Sequence, residues 1–429
     1  MSAMAGSGAR WLYRGLMSAV VPLAVPVLSL RDRMVGKRRP PWSERLMHDD
    51  PEVAAGGLWI QAVSVGEVEI ARRLIRALRA VAPELPITVT ATTATGLDLA
   101  RSSLPEDVPV AACPLDLMGP VSRFLDLVRP RAVVLVETEL WPEMLGQAGD
   151  RGIPVAVVNA RLSARSTARY RRVRALLRPL LAPVSRVLTR GGDDAERFLS
   201  LGVAADRITA VGNIKYDLEP DPRPLVWRDA VEAAAGDRAV VVAGSTMDGE
   251  EAMVLDALDE LQPRPFLILA PRHPERFDAV AELAASRGLS VARRTRVESG
   301  PPGPATDVFL LDTIGELSRA YAMARVAFIG GSLVPTGGHN PLEPLAWGVP
   351  VLTGPHVHNF DEVYGLLFEA GAARSVEGKD ELSAGFRAWL GDADAATTAG
   401  SAGESVVRAN RGATERTAAA LLELVEPGP

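Results

Sequence analysis

From Leu58 onward the chain alternates between two hydrophobic periods, and this alternation leaves it few folds. Short apolar runs at Leu58–Val63, Ile87–Thr92, Arg131–Glu137, Val155–Val158, Arg186–Thr189 and Ile208–Val211 read as strands. Helix-period segments separate them. One is Gly66–Ala80, which with the residue after it lines up Ala71, Leu74, Ile75, Leu78 and Val81 on one face. Strands that alternate with helices run parallel, because a helix is the short way back to the start of the next strand. The run EPDPRP, Glu219–Pro224, reads as a linker. The alternation then restarts with Ala239–Ala243, Phe266–Ala270, Val308–Leu311 and Val326–Ile329. The expected fold is α/β: two doubly wound Rossmann-like domains with a cleft between them. Ligands are expected at the carboxyl ends of the strands. The expected divisions are a membrane-associating segment over 1–50, an N-terminal domain over 51–218, a linker over 219–236 and a C-terminal domain over 237–429. The stretch from Ala395 to the end reads as mostly helical.

Composition excludes several classes. With 429 residues, 47% hydrophobic and 23% charged, the chain is globular material with room for two domains. A net charge of −6 argues against a general nucleic-acid binder. The single cysteine, Cys113, cannot form an intramolecular disulfide framework and suits a reducing compartment. The sequence has no CxxC or HExxH zinc spacing, and the one D-x-D, Asp392–Asp394, reads as a surface loop. No metal is expected.

The N-terminus departs from the rest. Leu16–Leu30 is nearly all apolar, with Pro22 and Pro26 inside it. Arg10 and Arg14 precede it, and Arg31, Arg33, Lys37, Arg38 and Arg39 follow. The run is short of the roughly 20 residues a spanning helix needs. A cleaved signal peptide lacks a convincing small-residue cleavage site here. The preferred reading is a monotopic segment that dips into the bilayer with its cations at anionic headgroups; a buried helical hairpin is the alternative.

The stretch 326–360 reads as strand, glycine-bearing loop, helix, strand and loop. Gly330-Gly331 and Gly337-Gly338 let the backbone turn sharply and approach a ligand. Asn340 suits a helix N-cap and Pro341 the first helical position. Unpaired backbone N–H groups and a helix dipole would then converge on one spot, as a phosphate requires. Glu343 lies one turn in, where a carboxylate can take a sugar hydroxyl. His339, His356 and His358 cluster around the segment.

Other charged groups follow strands. Glu67 opens a helix, and Ser64-Val65-Gly66-Glu67 also has the form of a capping box. Glu137 ends an apolar strand and Glu139 comes just after; a charge there is costly unless it is paired or faces a cleft. Lys215 lies just past a strand, beside the linker. Arg272 and His273 end another strand and suit an anion. A basic run includes Arg161, Arg165, Arg169, Arg171, Arg172, Arg174 and Arg178, with no acidic residue among them. It reads as a solvated helix face, as a surface for anionic lipid or a phosphorylated acceptor, or as a nucleic-acid surface. Only Tyr170 interleaves it, which weakens the last reading.

Taken together, these motifs resemble the Kdo transferases, which add 3-deoxy-D-manno-octulosonic acid to lipid A precursors. The matching runs are AVSVGEVE (62–69), ETELWPE (137–143), NARLSARS (159–166), GNIKYD (212–217), AGSTMDGEE (243–251), PRHPERF (271–277), DTIGEL (312–317), GGSLV (330–334), GGHNPLEP (337–344) and GPHVHNF (354–360). They occur in order over about 58–360, and the amphiphilic N-terminus also fits. Met247 departs from the family pattern, which has His there. The resemblance implies a GT-B glycosyltransferase that uses CMP-Kdo as donor, inverts the anomeric centre and requires neither cofactor nor metal. It implies Glu67 as catalytic base, with Glu137 and Lys215 stabilising the transition state. It implies Arg272, His273, Ile314, Gly315, Glu316, Asn340, Pro341, Leu342 and Glu343 as CMP contacts. Glu139 shares a motif with Glu137 and stays open as the second carboxylate. The implied acceptor is a lipid A precursor such as lipid IVA. The implied place is the cytoplasmic face of the inner membrane of a Gram-negative bacterium, with Arg161, Arg165 and Arg169 toward the acceptor or an anionic membrane surface. No nucleic-acid partner is expected.

Overall fold

The computed structural model describes residues 2–35 and 38–425. Lys37, one of the cations expected after the apolar run, lies outside them. The chain divides into two compact units, Met1–Asp217 with Arg411–Pro429, and Leu218–Asn410.

The first unit is built on strands β1 Leu58–Ala62, β2 Ile87–Ala91, β3 Val110–Ala112, β4 Ala132–Val136, β5 Val155–Ala160, β6 Val184–Thr189 and β7 Ile208–Ala210. All pair in parallel, in the order β3-β2-β1-β4-β5-β6-β7. Successive side chains of a strand point to opposite faces. Leu58, Ile60 and Ala62 therefore pack with Leu74 and Leu78 of the helix Val65–Val81, while Trp59 packs with Phe124 and Leu145 on the other face. The helix begins and ends within a residue of expectation, but Val81 is 66% exposed and does not share the buried face. The short strand β3 carries too little apolar sequence to be read as a strand.

The second unit repeats the plan with β8 Val240–Thr246, β9 Phe266–Pro271, β10 Val291–Arg293, β11 Val308–Leu310, β12 Val326–Ile329, β13 Val351–Thr353 and β14 Ala373–Ser375. The order is β10-β11-β9-β8-β12-β13-β14, again parallel throughout. Each sheet is wound outward in both directions from one point. The switch falls between β1 and β4 in the first sheet and between β8 and β12 in the second. Loops leaving adjacent strands there part to opposite faces and open a crevice.

Two expected boundaries change. Residues 411–429 return to the first unit instead of completing the C-terminal domain. Asp217 accepts hydrogen bonds from the N–H groups of Gly412 (2.6 Å) and Thr414 (2.5 Å), which fixes the start of the helix Ala413–Val425. Leu421 and Ala418 of that helix then join the core beside β1. The expected linker 219–236 belongs to the second unit and contains the helix Arg228–Ala235. Trp227 and Val231 are fully buried there, and the Trp227 ring meets Phe309 at 4.8 Å. Asp392 does not lie in a loop: it caps the helix Ala393–Ala409 by accepting from Ala395 N–H at 2.9 Å.

The N-terminal helix runs without a break over Ser2–Val35, through Pro22 and Pro26. Its stretch Arg10–Asp32, 23 residues, is long and apolar enough to cross a membrane by length and composition. The expectation that the run is too short is therefore corrected, because the helix continues on both sides of the apolar core.

Candidate active site

In the first unit the candidate groups collect past the carboxyl ends of β1, β4, β5 and β7. Glu67 stands on the first turn of the helix that follows β1. Its Oε2 accepts from Ser64 N–H at 2.8 Å and also from Val63 N–H. The capping box is thus real, and the carboxylate is 8% exposed. Burial pushes the Glu67 carboxyl up to about 7; the Ser64 N–H opposes this, and Glu137 and Glu139 add to it. Glu139 is also held above its ordinary range, by burial first and by Glu137 second. Three carboxylates therefore interact around the switch point.

Glu137 directly follows β4 in a left-handed conformation, φ 60°. A residue with a Cβ adopts that region only at a cost, and such outliers gather at functional sites. The conformation is fixed by its N–H, which donates to Val158 O at 2.9 Å. Its Oε1 lies 3.3 Å from Lys215 Nζ. Lys215 sits in a short helical turn, Ile214–Tyr216, past β7. Sequence reasoning missed what holds that turn. Asn159, buried and itself at φ 50°, accepts the Ile214 N–H at 2.9 Å. Asn213 accepts the Lys215 N–H at 3.1 Å, and Arg73 Nη1 donates to the carbonyls of Ile214 (3.1 Å) and Lys215 (3.2 Å). Asn159 opens the NARLS run, and its polarity at the end of an apolar strand was the available signal.

The basic residues lie on two consecutive helices, Ala164–Arg172 and Arg174–Leu181. Arg165 and Arg169 are exposed, and Arg161 is half-buried at the entry to the first. The second helix packs against the N-terminal helix.

In the second unit Arg272 and His273 follow β9, and Arg272 N–H is fixed on Thr246 O at 2.9 Å. His339 is nearby: burial, then Arg272 and His273, pull its imidazole down to about 4, so it is neutral at pH 7. Ile314 is 72% exposed and Gly315 turns at φ 90°. The Glu316 carboxylate accepts from Trp227 Nε1 (3.1 Å) and Arg294 Nε (2.9 Å). Burial works against the charge on Glu316, but these bonds and Thr313 outweigh it and hold the pKa below the usual range.

The glycine loop differs from expectation in an informative way. The N–H groups of Gly331 (2.7 Å), Ser332 (2.9 Å) and Leu333 (2.8 Å) do not wait for a phosphate. They donate to the fully buried carboxylate of Glu250, which also takes Met247 N–H at 2.8 Å. Four N–H donors on one carboxylate make a rigid floor. A Cβ on Gly330 would meet Ser245 O at 2.4 Å, so this position admits glycine alone. The helix after the loop is only Leu342–Leu345, with Pro341 in place of Asn340 at its cap position. Asn340 still serves the turn: Oδ1 accepts from Leu342 N–H (3.1 Å) and Nδ2 donates to Glu343 Oε1 (3.2 Å). Leu342 and Pro341 are buried, so they shape the loop while Asn340 and Glu343 carry its polar groups. Among the described residues no three His, Cys, Asp or Glu side chains are grouped to hold a metal ion.

Two wholly parallel, doubly wound units with polar groups past their strand ends are the plan of the GT-B fold. In fold the chain is similar to a glycosyltransferase from Rickettsia africae ESF-5, with TM-score 0.57 at 12% identity over 87% of this chain and 100% of that one. It is likewise similar to MnaA of S. aureus solved with UDP, with TM-score 0.56 at 14% identity over 87% and 99%. At such identities the likeness shows the fold alone. A family model described as 3-deoxy-D-manno-octulosonic-acid transferase (kdotransferase) matches residues 40–218. The 3-deoxy-D-manno-octulosonic acid transferase of Haemophilus influenzae is 38% identical over 86% of this chain and 87% of its own length. That of Bordetella pertussis is 37% identical over 86% and 88%. The chain belongs to this family, the Kdo transferases, and is an enzyme of the glycosyltransferase class.

Proposed function

We propose that the chain transfers Kdo from CMP-Kdo to a hydroxyl of a lipid A precursor such as lipid IVA, with inversion, at the cytoplasmic face of the inner membrane. The observation that carries the mechanism is Glu67, a buried carboxyl with a pKa near 7 beside the Glu137–Lys215 pair. A base needs a pKa near the working pH, so that it is ionised and still takes a proton readily. The acceptor oxygen attacks the anomeric carbon of Kdo, the bond from that carbon to the CMP phosphate oxygen breaks, and Glu67 takes the acceptor proton. Lys215, held by Glu137 and by the Asn159–Arg73 bracing of its turn, offsets negative charge at the reacting centre. CMP already leaves well, so the reading requires no metal.

The nucleotide is assigned to the second unit. Arg272 and His273, with neutral His339 beside them, suit the phosphate. Glu343, oriented by Asn340, suits the ribose hydroxyls, and Ile314-Gly315 forms an open edge. The Glu250 floor makes the glycine loop a wall for the nucleotide; the phosphate charge falls to the side chains. Toward the membrane, Leu12, Leu16, Val20, Leu23, Val27, Leu30 and Met34 form an exposed helical stripe. The helix is also tied to the body of its unit along its length, from Arg14 on Glu143 to Ser29, whose Oγ accepts from Trp42 Nε1 at 2.8 Å. A helix held lengthwise in this way favours lying in the interface over crossing it, with the exposed arginines at anionic headgroups.

Incubating the enzyme with labelled CMP-Kdo and lipid IVA tests the reading. Label should move to the lipid, and CMP should compete where UDP does not. Transfer from a UDP-sugar, or equal competition by UDP, contradicts it.

A further inference from the structure

The N-terminal helix meets its unit at a cluster that the proposed chemistry does not use. Arg14 donates from Nε to Glu143 Oε2 (2.9 Å) and from Nη2 to Oε1 (2.7 Å), a two-pronged pairing. Arg10 reaches the same two oxygens at 3.4 Å each, and Gln147 Nε2 donates to Oε1 at 2.9 Å. Glu143 is fully buried. Beside it Tyr13 OH donates to Asp116 Oδ2 at 2.8 Å. The same Asp116 carboxylate accepts the N–H groups of Glu143 (3.0 Å) and Met144 (2.8 Å), so it caps the helix Pro142–Asp150 from another loop. Gly146 makes room for the contact: a Cβ there would meet Arg10 Nε at 2.5 Å. Residues 10, 13 and 14 share one face of the N-terminal helix, and the exposed apolar stripe lies elsewhere on it.

The helix they grip begins just after the ETELW loop. Only Thr138 to Trp141 separate Glu137 from Pro142. The loop is pinned at its start by Glu137 N–H on Val158 O, and at its end by Asp116 and Glu143. A displacement of the capped end therefore falls on the four residues between the two pins, Glu139 among them and Glu137 next to them. An anchor alone needs only the apolar stripe; it has no use for two arginines converging on a carboxylate that is out of reach of solvent. A buried carboxylate is tolerated only when its charge is met, so the unit depends on these cations where they are.

We propose that Arg10, Tyr13 and Arg14 are positioning residues for transfer: acting through Glu143 and Asp116, they set the ETELW loop and make the membrane-facing helix part of the catalytic unit. This rests on the reading of Glu137 and Glu139 given under the proposed function. The test compares wild type with the double variant Arg10→Gln/Arg14→Gln as full-length proteins on anionic phospholipid vesicles, with labelled CMP-Kdo and lipid IVA. The expected result is a kcat lower by roughly ten- to a hundred-fold, the scale of a small misplacement of reacting groups. Vesicle binding, through the untouched stripe, and CMP affinity, in the other unit, should stay as in wild type. Arg10→Lys/Arg14→Lys, which restores the charge, should recover much of the kcat. Wild-type kcat in the glutamine variant overturns the proposal. So does a fall in kcat matched by loss of the first unit's thermal unfolding transition, which would mark unfolding of that unit. Absence of transfer by wild type would instead overturn the proposed function, so the two failures are distinct.

Discussion

Glu67 closes a capping box, and the same surroundings suit the base proposed for transfer. Two N–H groups hold Oε2, which orients the carboxylate, while burial and two neighbouring carboxylates raise its pKa to about 7. The same shift has a sign for stability. A carboxyl whose folded pKa lies above its ordinary value of 4.5 favours the fold most when protonated, so its contribution declines as pH rises from about 4.5 through about 7. Catalysis runs the other way, because the base must be ionised. Glu343 makes a simpler prediction. Asn340 orients its carboxylate, and hydrogen bonds to a charged group are worth about 1.5–3 kcal/mol. Glu343→Ala should therefore weaken CMP binding by roughly ten- to a hundred-fold in calorimetry, with the melting temperature little changed. Unchanged affinity would remove the ribose from this carboxylate. Such residues were legible as polar groups after apolar strands. Asn159 gave the same signal, but the roles of Asn159 and Glu250 were not legible, since they lie in which backbone N–H groups these residues meet across the fold.

At the scale of elements, most strands that were legible are buried on both faces, such as Val326–Ile329, where a continuous apolar run leaves one interpretation; Ile208–Ala210, an exposed edge strand, was legible as well. The edge strands Val110–Ala112, Val291–Arg293 and Ala373–Ser375 were not, because each is three residues long with at most one large apolar side chain. The glycine loop was located correctly, but its donors were assigned to a phosphate when Glu250 takes them. A sequence shows that a loop has N–H groups to satisfy and leaves open which acceptor the fold supplies. The N-terminal helix was legible as an amphiphile, and its length was not, because the helix extends beyond the apolar run Leu16–Leu30 on both sides. Removing residues up to Arg39 should abolish pelleting with anionic vesicles while CMP affinity, a property of the second unit, stays intact. Undiminished pelleting would transfer the membrane contact to the arginine-rich helices after Arg161.

At the scale of the whole molecule, two sheets with the same winding each place their candidate groups beside a topological switch point, and the proposed reading assigns the base to one unit and the nucleotide to the other. That division was legible from the restart of the alternation near residue 239. The return of 411–429 to the first unit was not, because a helix rich in small residues fits either core. Its address is set by Asp217 and by the packing of Leu421, contacts distant in sequence. If Kdo transfer depends on proton removal by Glu67, the dependence is read in the pH profile of kcat/KM for transfer by wild type and Glu67→Gln. Gln keeps the size and the cap but accepts no proton. The wild-type rate should fall away on the acid side of pH 7, and a folded Glu67→Gln enzyme should be slower by roughly 10²–10⁴-fold without that acid limb. A well-folded Glu67→Gln enzyme with near-wild-type transfer and the same acid limb would contradict it.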